Sequence, residues 1–225
     1  SYTIVVDSTL KSARGSPLGS RFTSIFTTEA LPPFVVSRTH PIDGDTSVYP
    51  YQSISVTTTH PVDSLTVPAA FHLDPPLPGR FTFHPGEYHF TFNPDTALRA
   101  GSGYRVSIGE QLRSVYGHSL QAPHEFSFSV PPLRVQWVQP ANGGRDVAPT
   151  SPLFVGFNYG IDTAAFLRAA TLDPPTPGVY TFNVSFLRFD PGSTWVPETT
   201  YTLTIDTTDL AVGGGGLREP FVLTF

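Results

Sequence analysis

The residues best suited to chemistry in this chain are its histidines and the acids beside them. All seven histidines lie between His40 and His124. His84, Glu87 and His89 stand close together, and imidazole with carboxylate is a zinc-ligand set. On one strand His84 and His89 would face opposite sides, since strand side chains alternate. A turn at Pro85-Gly86 would bring them together. The alternative is that all three are solvated loop and strand residues. No His-Glu-x-x-His motif accompanies them. Asp43, Asp45 and Asp146 form the other candidate set, for calcium at the joints between modules. Asp43-Gly44-Asp45 looks like part of a calcium loop, but the remaining ligands and the closing glutamate are missing. No Gly-x-Ser-x-Gly elbow marks an activated serine. The chain has no cysteine, so it has neither disulfides nor thiolate metal sites. No catalytic residue and no cofactor is expected.

Aromatic side chains offer a second kind of chemistry, stacking on the faces of sugars. The candidates are Tyr49, Tyr51, Tyr88, Tyr116, Tyr159 and Trp137. The competing reading makes most of them core or joint residues. Gly213 to Gly216 is a glycine run without the Lys-Ser/Thr of a phosphate loop. It reads as a hairpin turn. Asn183-Val184-Ser185 has the form of a glycosylation sequon.

The elements that would position these residues follow from an internal repeat. Tyr2, Tyr104 and Tyr201 each open one pattern. Apolar residues follow in alternation: Ile4 and Val6, Val106 and Ile108, Leu203 and Ile205. Then come Gly15, Gly117 and Gly214; Leu18, Leu120 and Leu217; and Phe26, Phe128 and Phe225. A repeat fixes architecture before any single residue fixes chemistry. Alternation over each run means a strand with one face buried. Short runs rich in Val, Ile, Thr, Phe and Tyr recur between 19 glycines and 24 prolines, the rhythm of many short strands. Helix evidence is confined to Thr163–Ala170 and to Ser64–Phe71, which Pro68 limits to about one turn.

A longer match joins two full repeats. Pro41 pairs with Pro140, Val48 with Val147, and Val62-Asp63 with Ile161-Asp162. Leu73-Asp74-Pro75-Pro76 pairs with Leu172-Asp173-Pro174-Pro175, and Leu98 with Trp195. The expected fold is all-β, with tandem immunoglobulin-like sandwiches. Residues 1–30 are read as the C-terminal strands of a truncated module, followed by complete modules at 33–130 and 132–225. Double prolines at 32–33 and 131–132 would make short, semi-rigid joints, and a row of such modules would form a rod. Each tyrosine is read as a corner residue, its ring in the core and its hydroxyl on the preceding loop. The first copy is incomplete, and an isolated hairpin is marginal in water. Its apolar face, Tyr2, Ile4, Val6, Phe22 and Phe26, is therefore read as a strand-complementation surface. Missing upstream strands or a neighbouring copy would cover it.

These residues resemble the bacterial Ig-like module of S-layer and other secreted proteins. Tyr2-Thr3-Ile4-Val5-Val6, Gly15-Ser16-Pro17-Leu18 and Phe26-Thr27-Thr28 look like its ending. Pro41 and His60-Pro61-Val62-Asp63 look like its opening. Thr58 and His124 depart from it, standing where Phe157 and Phe221 occur in the next copy. The resemblance implies a non-enzymatic spacer, scaffold or adhesive segment of a larger bacterial protein, secreted or at the cell surface. Its expected partners are proteins: neighbouring modules or further copies of itself. The alternatives are an adhesin that binds glycans, and an accessory region of a larger enzyme or of a macroglobulin-like inhibitor. With a net charge of −5 and 13 scattered basic residues, nucleic acid is not an expected partner. No apolar run is long enough for membrane insertion. With no methionine even at the first position, the chain is read as a processed product or a fragment.

Overall fold

The structure, a computed structural model, describes residues 1–84 and 86–225. Two compact units divide it, Ser1–Pro33 and Phe34–Phe225. The first is a single antiparallel hairpin of β1 (Tyr2–Val6) and β2 (Phe22–Phe26), with Tyr2 opposite Phe26 and Val6 opposite Phe22. Directly opposed strand residues share a face. One face thus carries Tyr2, Ile4, Val6, Phe22 and Phe26.

The second unit holds two seven-stranded sandwiches. The first sandwich has β3 (Val36–His40), β4 (Ile54–Thr58), β5 (Phe71–Asp74), β6 (Gly79–Phe83), β7 (His89–Pro94), β8 (Gly103–Ile108) and β9 (His124–Ser129). The next has β10 (Val135–Gln139), β11 (Leu153–Phe157), β12 (Ala170–Asp173), β13 (Gly178–Phe182), β14 (Phe186–Pro191), β15 (Thr202–Ile205) and β16 (Phe221–Thr224). Sheet orders are β3-β4-β7-β6 facing β5-β8-β9, then β10-β11-β14-β13 facing β12-β15-β16. Four strands against three, in this order, is the constant-type immunoglobulin topology. The all-β reading of the sequence holds.

Alternation builds each core. In β4 and β11 the inward residues Ile54, Val56, Leu153 and Val155 are fully buried. Val106 and Ile108 from β8, and Leu203 and Ile205 from β15, close on them from the other sheet. Between the sheets the chain crosses by a short helical turn. Asp63 caps a 3-10 turn (Ser64–Thr66) by accepting the Leu65 N–H, and α1 (Val67–Ala70) follows with Pro68 in its first turn. Asp162 caps α2 (Thr163–Ala169) by accepting the Ala165 N–H. The repeated aspartate is thus an N-cap. Cis peptides precede Pro41, Pro75, Pro140 and Pro174, at equivalent places in the two sandwiches.

Candidate functional site

The repeated tyrosines define the end of each sandwich. Tyr104 opens the alternating run of β8, so its ring turns inward and stacks on Phe128 at 5.5 Å. Its hydroxyl accepts the Arg99 N–H at 2.8 Å. Tyr201 stacks on Phe225 at 5.7 Å, and its hydroxyl accepts the Val196 N–H at 3.1 Å. Both hydroxyls therefore tie down the loop before the strand. Tyr2 keeps the ring pair, with Phe26 at 5.3 Å, but stays 60% exposed.

Those two loops matter because one of them receives the next sandwich. Arg99 donates twice to Asp209, from Nη2 to Oδ1 at 2.6 Å and from Nη1 to Oδ2 at 2.9 Å. The guanidinium beside Asp209 holds its carboxyl below the usual aspartate range. The Ala100 N–H donates to Gly214 O at 3.1 Å. Gly213, Gly214 and Gly215 have φ of +87°, +90° and +91°, a region that favours glycine. Space matters as much as φ. A Cβ on Gly213 would lie 2.7 Å from Ala97 O, and one on Gly215 would overlap Ala100 O. Gly117, the repeat partner of Gly214, has φ +83° and nothing within 4 Å of a Cβ. The glycine run is therefore a turn, and it is also the contact surface of a joint.

The histidine cluster sits elsewhere. Phe83 pairs with Phe90 across β6 and β7, so His84, just past β6, and His89, at the start of β7, lie beside each other rather than along one strand. Their ring centroids are 6.4 Å apart, and Glu87 Oε2 lies 3.3 Å from His89 Nε2. With Asp63 they line a cleft of about 310 Å³. The turn expected at Pro85-Gly86 lies partly outside the described residues. Among the described residues no group of three His, Asp or Glu is placed to hold a metal ion.

The calcium candidates have other partners. Asp43 accepts the Ser127 N–H at 2.8 Å and the Ser127 hydroxyl at 3.2 Å. Asn142, its repeat partner, accepts the same pair of donors from Thr224. A neutral amide makes the same two bonds, so this position ties a loop to the last strand and needs no charge for it. Asp45 accepts from the N–H and hydroxyl of Ser47, each at 2.9 Å. These bonds hold the carboxyls of Asp43 and Asp45 below the usual range. Asp146 lies in a cleft with Glu198, and both have positive φ.

The aromatic candidates divide. Tyr49, Tyr51, Tyr88, Tyr116 and Trp137 are exposed, but Tyr159 is buried. Its ring meets the edge of Tyr49, from the preceding sandwich, at 6.1 Å, and burial pushes its hydroxyl pKa up. Tyr159 is thus a joint residue rather than an exposed one. Its repeat partner, His60, is buried too. Trp137 lies over Gly156, beside Phe154 and Phe186, with the Arg188 guanidinium 5.7 Å from the Phe154 ring centre. Sequence reading missed Phe154, Phe186 and Arg188. The signal was available, because the repeat places Ser55, His89 and Thr91 at these positions.

A sequence profile described as Bacterial Ig-like domain matches residues 30–130 and 129–225. The chain belongs to the bacterial Ig-like domain family. No curated protein sequence matches it. Among solved structures, it is similar to the N-terminal part of the bacterial S-layer protein SbsC. Identity is 14% and the TM-score 0.35, covering 85% of this chain and 44% of that one. A longer SbsC chain gives 12% identity and a TM-score of 0.34, covering 86% and 25%. A titin segment gives 8% identity and a TM-score of 0.29, covering 85% and 95%. The chain thus spans under half the length of the S-layer proteins it resembles. Among the described residues no helix is long and apolar enough to cross a membrane.

Proposed function

We propose that this bacterial Ig-like chain is a stiff, non-enzymatic spacer segment of a larger protein, secreted or displayed at the cell surface. The observation that carries this reading is the joint between its two sandwiches. A paired guanidinium and carboxylate, a glycine turn fitted to backbone, and a buried Tyr159 all serve to fix one module on the next. A joint of that kind transmits position. The location can be tested with antibodies raised against the 225-residue chain. Labelling of intact source cells or of their medium is expected. Labelling that requires permeabilised cells would contradict the reading.

The hairpin face extends the proposal. Ile4 is 51% exposed, whereas its repeat partners Val106 and Leu203 are fully buried. The face of Tyr2, Ile4, Val6, Phe22 and Phe26 is suited to cover by further β-strands, from upstream chain or from a neighbouring copy.

A second reading, glycan binding, has its own support. Trp137, Phe154, Phe186 and Arg188 share the outer face of one sheet. At the same places the other sandwich carries Arg38, Ser55, His89 and Thr91. The fold is therefore made without aromatics there, and an exposed indole suits the apolar face of a sugar. Trp195 is buried, so the fluorescence of Trp137 can report binding. Soluble cell-wall polysaccharide should shift the emission, and Trp137→Ala should abolish the shift. An unchanged spectrum removes this reading.

A further inference from the structure

One sheet of the second sandwich ends in a strand whose outer edge is bare. β13 lies last in the order β10-β11-β14-β13. It pairs with β14, Val179 opposite Asp190 and Thr181 opposite Arg188. Just beyond, the Asn183 N–H donates to Phe186 O at 2.8 Å. In an antiparallel pair, hydrogen-bonded and non-hydrogen-bonded residues alternate. Val179 and Thr181 therefore turn their backbone groups to β14. Gly178, Tyr180 and Phe182 turn theirs to the free edge, where among the described residues no strand meets them. Pro177 removes no donor from this edge. It lies in the β14-facing set, its carbonyl accepting the Gly192 N–H at 2.7 Å.

Natural sheets blunt such edges with charge, with bulges or with cover. The other edges of the two sandwiches do so. β6, the repeat partner of β13, carries Arg80, whose side chain is 84% exposed. β3 carries Arg38, β9 carries Glu125, and β5 and β12 end in Asp74 and Asp173. β3 and β10 are bulged. On β16 the Gly143 N–H already donates to Thr224 O at 2.7 Å. β13 has none of these devices. Its residues Gly178-Val179-Tyr180-Thr181-Phe182 are uncharged, and no charged residue occurs from Pro174 to Leu187. Val179, standing where the repeat has Arg80, is 65% exposed.

We propose that this edge pairs with the same edge of a second copy of the chain, β13 antiparallel to β13, about a twofold axis at Tyr180. In this pair Tyr180 exchanges two hydrogen bonds with its own image. Gly178 does the same with Phe182 of the other copy, so each bare group gains a partner. Such an interface is isologous and closes as a dimer. The charges on the elements packed against β13 allow it. On the outer face one row runs through Arg188 and Thr181, then Val179 and Asp190 of the second copy. Each Arg188 thus shares its row with an Asp190 rather than with another arginine. On the inner face α2 meets β13 through Phe166, whose ring lies 6.0 Å from Tyr180 and 5.8 Å from Phe182. Its charges are the capping Asp162 and Arg168, one of each sign. The proposal goes beyond the spacer reading and does not rest on it. A monomeric chain at the cell surface would leave that reading intact.

Sedimentation of the full chain over a wide concentration range tests it. Mass should rise toward that of a dimer. One strand pair is a small interface, so the association is expected to be weak. Val179→Arg supplies the residue that β6 carries at this position, so the melting temperature should not change. It also sets two like charges on a diagonal about 7–8 Å apart across the pair. Dimerisation should weaken by about tenfold or more. Register is read by crosslinking, since the chain has no native cysteine. Under mild oxidation a mixture of Val179→Cys and Thr181→Cys chains should form disulfides faster than either chain alone, because only the unlike positions lie directly opposite. A chain that stays monomeric up to about 1 mM overturns the proposal. So does association that Val179→Arg leaves intact, or crosslinking no faster in the mixture. Association lost with Ile4→Lys but not with Val179→Arg would place the contact on the hairpin and overturn it too.

Discussion

A buried tyrosine hydroxyl that accepts a backbone N–H contributes about 1 kcal/mol, and leaving that N–H without a partner costs somewhat more. Tyr104 and Tyr201 are in this position, with Arg99 and Val196 as donors. Tyr104→Phe and Tyr201→Phe should each lower stability by about 1–2 kcal/mol in urea unfolding. Tyr2→Phe should change nothing measurable, since its ring is mostly exposed. His60 makes the opposite case. It is 3% exposed among Phe34, Tyr116 and His118, and both its ring nitrogens lack hydrogen-bond partners. His60→Phe removes two buried polar atoms while keeping a ring of similar size. Stability should hold or rise by about 1 kcal/mol, and a clear loss would show that His60 has a partner the geometry does not reveal.

Strands were the most legible elements, because alternation is a property of the sequence itself. Tyr104-Arg105-Val106-Ser107-Ile108 reads as half-buried before any fold is known, and β8 is so built. The crossover helices were legible too, from Pro68 and from the apolar run after Asp162. The joint was not. Gly213 to Gly216 reads as a turn on composition, but its fit to Ala97 and Ala100 depends on residues more than a hundred positions away. Tyr159 was misjudged for the same reason, since its burial depends on contacts such as Tyr49 that are remote in sequence. For His84 and His89 the sequence left two arrangements open, one strand or a turn between them, and the pairing of Phe83 with Phe90 favours the second. A glycine comparison separates local strain from fit. Gly117→Ala should cost about 1–2 kcal/mol for its positive φ alone. Gly213→Ala carries the same strain and also collides with Ala97. It should destabilise by clearly more, and hydrogen exchange at the Ala100 amide should quicken. Equal losses at both sites would mean that the glycine run does not act in the joint.

At the scale of the molecule, the joint also carries a pH dependence. The folded carboxyl of Asp209 is held low by the Arg99 bond. A depressed carboxyl contributes stability above its unfolded value and loses it as pH falls through the folded value. Both side chains are about half exposed, so the pair contributes no more than about 1 kcal/mol. Asp209→Asn should therefore be slightly less stable than wild type near neutral pH. The difference should vanish below the ordinary aspartate range. A difference that persists in acid would assign the effect to packing.

The fixed joint between residues 34–130 and 132–225 is the central claim, and the absence of native cysteine makes it directly measurable. Leu65 and Val184 are highly exposed, one in each sandwich. Spin labels on Leu65→Cys and Val184→Cys would report the distance between them by pulsed electron resonance. A single narrow distribution that broadens with Gly213→Ala is the result expected of a locked joint. A broad distribution in the otherwise wild-type chain, unchanged by Gly213→Ala, would contradict it.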